Sequence, residues 1–127
     1  MGKGFLIDTN AIIEYLENKL PNASTQFIDG LDMQLSIISK IELLAWPKAT
    51  ANQLETLEGF LSVSTIFRLS DMVERATIEI KRVNGIKLPD AIIAATAISN
   101  NLTLITRNVS DFKKIEKLKW LNPWDIK

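Results

Sequence analysis

Four acidic residues, Asp8, Glu42, Asp90 and Asp111, stand at or near the ends of short apolar segments. Hydroxyl and amide groups accompany them in Asp8-Thr9-Asn10 and in Thr106-Arg107-Asn108. The sequence has no Cys and no His. That excludes thiolate nucleophiles, disulfides, zinc fingers, iron–sulfur clusters, Ser–His–Asp catalysis and imidazole-ligated metals. A metal here must be held by oxygen, and oxygen ligands select hard cations such as Mg²⁺ or Mn²⁺. Carboxylates packed within a few ångströms raise each other's pKa. A divalent cation among them is the economical remedy, so the chemistry in view is metal-assisted.

Each of these residues also has a purely structural reading. Asp8 can cap the helix that follows it. Ser39-Lys40-Ile41-Glu42 has the spacing of a capping box, with Glu42 reaching back to the Ser39 amide. Asp90 can complement the dipole at the start of its helix. Asp111 can cap a short helix beginning at Phe112, and Asn108 can form a turn. Only their placement together decides between the two readings.

The elements that place them follow from periodicity. Gly4 to Asp8, Gln34 to Ile38 and Leu102 to Ile105 are continuous apolar runs, read as buried strands. Ser62 to Ile66 is β-rich, and Lys119 to Leu121 makes a last short strand. Helices are expected over Ala11 to Asn18, Ser24 to Leu31, Ser39 to Ala45 and Thr50 to Leu61. A long amphipathic helix runs from the cap Ser70 to about Val83, closed by Asn84-Gly85 as a left-handed C-cap. Leu88-Pro89-Asp90 opens a helix apolar nearly all round, which must therefore be buried. A short helix is expected from Asp111 to Lys117. Alternating strands and helices in 127 residues predict one α/β domain, an α/β/α sandwich around a central parallel sheet. Ligands of such sheets bind at the carboxyl ends of the strands, where Asp8, Glu42, Asp90 and Thr106 to Asp111 fall.

Here a resemblance becomes specific. Phe5-Leu6-Ile7-Asp8-Thr9-Asn10, Leu35-Ser36-Ile37-Ile38-Ser39-Lys40-Ile41-Glu42-Leu43-Leu44, Leu88-Pro89-Asp90-Ala91-Ile92-Ile93-Ala94-Ala95-Thr96-Ala97 and Leu104-Ile105-Thr106-Arg107-Asn108 resemble, in family order, the motifs of PIN-domain nucleases. Within that group they resemble the VapC ribonuclease toxins of toxin–antitoxin pairs. The resemblance spans essentially residues 1–127. It implies a PIN-like sandwich and Mg²⁺- or Mn²⁺-dependent cleavage of RNA. By position it makes Asp8 and Asp90 the principal metal ligands, Glu42 a further acidic member, and Thr9, Asn10 and Thr106 supporting polar groups. Many relatives carry Asp where this sequence has Asn108, so Asn108 or Asp111 fills the last place. The resemblance further implies a cognate antitoxin and a homodimer. A catalytically weakened PIN-like module that only binds RNA or protein is the competing reading, favoured by Asn108.

Charge adds a distribution to this picture. The fifteen basic and fifteen acidic residues cancel, which argues against general coating of nucleic acid. Residues 1–60 nevertheless carry a net charge of −4 and residues 61–127 a net of +4. Bases such as Arg68, Arg75, Arg107 and Lys113 could position a phosphate backbone. The N-terminal residues lack the hydroxyl of an acylation signal, and no secretory or membrane-spanning stretch is present. A cytoplasmic, membrane-free protein is the expectation. Aspartyl phosphoryl transfer of the haloacid-dehalogenase kind fits poorly, because it needs a carboxylate at position 10, which is Asn10.

Overall fold

The computed structural model describes residues 4–127. Residues 1–3, part of the stretch read for an acylation signal, lie outside them. Strands β1 (Phe5–Ile7), β2 (Gln34–Ser36), β3 (Thr65–Phe67), β4 (Thr103–Ile105) and β5 (Trp120–Leu121) are joined by seven helices. These are α1 (Thr9–Leu16), α2 (Asn22–Asp29), α3 (Ile37–Leu44), α4 (Ala51–Ser62), α5 (Asp71–Val83), α6 (Leu88–Ser99) and α7 (Val109–Phe112). A short 3-10 turn follows at Pro123–Asp125.

Every strand pair is parallel, in two ribbons of order β1-β4-β5 and β2-β3. The Gln34 side-chain amide of β2 donates to the Phe5 carbonyl of β1 at 3.2 Å, which ties the ribbons edge to edge. Successive strand residues face opposite sides. Leu6 and Leu104 accordingly join a core with α5 and α6, while Ile7 and Ile105 join a second core with α1, α2, α3 and α4. Both faces are covered, which is why these strands carry no polar alternation. The α/β/α sandwich is thus the observed architecture.

Several boundaries differ from the sequence expectation. α3 starts at Ile37, and its cap is Ser36, whose hydroxyl accepts from the Ile38 amide at 3.0 Å. Ser39 lies inside the helix and is fully buried, so Ser39 and Glu42 form no capping box. The apolar run Gln34 to Ile38 reads as one strand, but sheet pairing stops at Ser36. α5 does not end in a left-handed cap. Asn84 is extended (φ −118°), and both its backbone and side-chain amides donate to the Ile80 carbonyl. Among the described residues, the non-glycine positions in the left-handed region are Asn18 and Asn101, just beyond α1 and α6. Asparagine tolerates that region better than most side chains. α7 covers Val109–Phe112 rather than 111–117, so Asp111 is inside it and is not its cap.

Candidate active site

The site is built where β1 and β4 stop. Ile7 pairs with Ile105, and the Asp8 amide adds one more bond, to the Ile105 carbonyl at 3.0 Å. The next residue of each strand, Asp8 and Thr106, is therefore brought side by side. The Thr106 hydroxyl donates to Asp8 Oδ2 at 2.8 Å, and the Thr9 amide donates to Oδ1 at 2.8 Å. The Asn108 amide then donates to Thr106 Oγ1 at 3.0 Å. Asp8 does cap α1; the structural and functional readings coexist in one residue.

α3 brings Glu42 to the same edge. Thr9 Oγ1 lies 2.6 Å from Glu42 Oε1 and 2.8 Å from the Ser39 hydroxyl. A hydroxyl has one proton to give. Thr9 gives it to the carboxylate and accepts from Ser39. Ser39, which reads as a helix cap in the sequence, is thus the buried partner of Thr9, which in turn holds Glu42. Only its spacing from Glu42, one turn earlier on the helix, hinted at this.

A cleft of about 680 Å³ opens above these residues. Asp8, Thr9, Asn10, Glu42, Asp90 and Asn108 all line it. Asp90 enters from the first turn of α6. Thr106 is fully buried beneath. Asp111 lies outside the lining and accepts from the Asn108 side-chain amide at 3.1 Å.

The electrostatics are those of crowded acids. Burial pushes the Asp8 carboxyl up from 3.8 to about 6, and Asp90 and Glu42 push in the same direction. The Thr106 and Thr9 hydrogen bonds hold it down in part. Asp90 is also raised, first by burial, then by Asp111 and Glu42, with Lys87 opposing. Burial and neighbouring acids disfavour the charged forms of both carboxyls, so both stand to gain from a positive charge placed between them.

The PIN domain family profile matches residues 5–118. The chain belongs to the PIN-domain family. Solved structures of similar fold include a chain of a toxin–antitoxin complex from Klebsiella pneumoniae, 28% identical, with 97% of this chain and 100% of that one covered and a TM-score of 0.78. A chain of the DNA-bound VapBC from Salmonella typhimurium is 23% identical, with 94% and 98% covered and a TM-score of 0.84. A chain of FitAcB from Neisseria gonorrhoeae is 26% identical, with 95% and 99% covered and a TM-score of 0.76. No curated protein matches the chain at a significant level of sequence similarity.

In this PIN domain no group of three or more acidic side chains among the described residues converges tightly enough to cage an ion. Mg²⁺ does not need such a cage. It keeps several waters and takes one or two carboxylates, and Asp8 and Asp90 offer those. The donor set therefore fits a hydrated hard cation. No helix among the described residues is long and apolar enough to cross a membrane.

The second-half bases are only partly at the site. Arg107 bonds Glu14 at 2.7 Å and lies over the Trp124 ring at 4.6 Å. Trp124 Nε1 also donates to Glu14, at 3.1 Å. Lys81 donates to the Ile86 carbonyl. The Glu14–Arg107–Trp124 group at the edge of the site, built from residues up to 110 positions apart, had no signal in the sequence.

Proposed function

We propose that this PIN domain is a metal-dependent endoribonuclease, the toxin of a VapBC-type toxin–antitoxin pair, with Asp8 and Asp90 as ligands of Mg²⁺ or Mn²⁺. The observation that supports this best is the convergence of Asp8, Glu42, Asp90 and Asn108, from four separate elements, on one cleft.

A bound divalent ion supplies positive charge opposite the phosphate and makes water a stronger nucleophile. The protein's own residues do the positioning. Thr106 and the Thr9 amide fix both oxygens of Asp8, so the carboxylate holds one rotamer. Glu42, held by Thr9 at the cleft edge, orients an attacking water or accepts its proton. Asn108 contributes a neutral amide, and Asp111 fixes the rotation of that amide by accepting from its nitrogen. Asp111 acts as a positioning residue from the rim. Asn10 faces the cleft from the first turn of α1. The exposed bases guide the RNA backbone. An antitoxin and a second copy of the chain are the partners that the toxin reading brings with it.

The deciding experiment is cleavage of single-stranded RNA in millimolar Mg²⁺ by the wild type and by Asp8→Asn. The amide keeps the side chain's shape and removes its charge. Cleavage by the wild type and none by the variant is the expected result. A variant that cuts at the wild-type rate sinks the assignment.

The second reading is a weakened module that holds RNA without cutting it. Asn108, a neutral group at the cleft, favours that reading. Metal-independent RNA binding without turnover is its signature.

A further inference from the structure

The carboxylate cleft is joined sideways to a second pocket of about 260 Å³. The two share Ile13, Glu17, Leu43 and Trp46. Trp46 follows α3, lines both cavities and is 39% exposed, so it is within reach of a ligand in either. Leu16 and Leu57 add apolar walls from α1 and α4. Gln53 stands at the same wall. Its carbonyl oxygen is used by the Thr50 amide at 2.8 Å, so its NH₂ is the group left to meet a ligand.

The chemistry of this pocket selects its occupant. No Lys or Arg among the described residues lines it, and its charged member, Glu17, is acidic and paired with Lys19 at 3.0 Å. A phosphate finds no cationic partner in that lining. A flat, neutral group with an apolar face and a polar edge is accommodated. The volume falls below the usual range for drug-sized ligands, which suits one ring system better than a peptide helix. Aromatic side chains bind unpaired bases by stacking, with little dependence on charge. The pocket adjoins the cleft where a phosphate would lie, with Trp46 common to both.

We infer that Trp46 and this pocket hold one nucleobase of a single-stranded RNA whose backbone lies in the carboxylate cleft. Trp46 is then a specificity-determining residue. The inference rests on the ribonuclease reading and names where that activity reads its substrate.

The test uses the Asp8→Asn protein in Mg²⁺ with fluorescein-labelled oligo(A), oligo(C) and oligo(U) decamers, read by anisotropy. Trp46→Ala in that background weakens binding about tenfold, the scale of one lost base stack. Trp46→Phe, which keeps a ring, retains most of the affinity. A decamer with one abasic position is then scanned. At one position the gap costs the Trp46-containing protein the same factor, and costs Trp46→Ala nothing. Cleavage by otherwise wild-type protein carrying Trp46→Ala shows a raised KM with kcat little changed. RNA binding and cleavage unaltered by Trp46→Ala overturn the base pocket alone and leave a protein-docking face. Additive losses from the abasic gap and Trp46→Ala also overturn it. A wild type that neither binds nor cuts RNA overturns the pocket and the ribonuclease reading together.

Discussion

Thr106 donates its hydroxyl proton to Asp8 at 2.8 Å, across 98 positions of sequence and between two strands that end side by side. Asp8 is 7% exposed and Thr106 is fully buried. A buried carboxylate without partners is expensive. This bond and the Thr9 amide keep Asp8 able to ionise inside the protein.

Thr106→Val keeps the shape and removes both the donor to Asp8 and the acceptor for the Asn108 amide. Loss of buried hydrogen bonds of this kind costs about 1–3 kcal/mol. Urea denaturation at neutral pH should show that loss. Cleavage should fall more than the stability change explains, because Asp8 loses its fixed rotamer and becomes harder to ionise.

Stability of the metal-free protein should fall with rising pH. The Asp8 carboxyl is raised from 3.8 to about 6 in the folded state, so between those values the folded protein holds a proton that the unfolded chain has released. The contribution is fully present below about pH 4 and is lost as pH rises through about 6. At one unit per 1.36 kcal/mol the full span is about 3 kcal/mol. Thermal melts in chelator from pH 4 to 7 measure it, and Asp8→Asn should flatten that part of the profile. A wild-type profile parallel to that of Asp8→Asn would contradict the buried, crowded carboxyl.

Mg²⁺ or Mn²⁺ in the millimolar range should raise the melting temperature at neutral pH. A ligand that binds only the folded state stabilises by RT ln(1 + [L]/Kd), about 2.7 kcal/mol at a hundredfold excess over Kd. Asp90→Ala removes one of the two proposed ligands and should abolish the rise. A wild type indifferent to both ions would count against the metal centre.

Asn108 and Asp111 can be separated by two variants. Asp111 accepts from the Asn108 side-chain amide and is not the cap of α7. Asp111→Ala should therefore lower the cleavage rate severalfold, with a stability change smaller than the ~1 kcal/mol of a lost cap. Asn108→Asp adds charge to the cleft and should tighten metal binding, while lowering metal-free stability by repulsion from Asp90 and Asp8. Full cleavage by Asp111→Ala would reduce Asp111 to a surface acid.

The order of elements was legible in the residues because burial on both faces of a parallel sheet writes itself as uninterrupted apolar runs, as in Phe5–Ile7 and Leu104–Ile105. The Ala-rich helix from Leu88 carried the same message, since only a buried helix is apolar nearly all round. Absent His and Cys confined the candidate site chemistry to oxygen ligands before any geometry was known. Strand ends beside acids then pointed to Asp8 and Glu42, and the lone acid opening the apolar helix from Leu88 pointed to Asp90. Tertiary structure decided what local spacing left ambiguous. Sheet pairing stops at Ser36, which moves the start of α3 and turns Ser39 from a supposed cap into the buried partner of Thr9. The αR turn of α7 carries Asp111 away from the cleft lining and onto Asn108. Trp46 joins two pockets, and Glu14, Arg107 and Trp124 meet, only because distant segments pack together. Such contacts leave no period in a sequence: they depend on which faces of different elements meet, and that is set by the packing of the whole core.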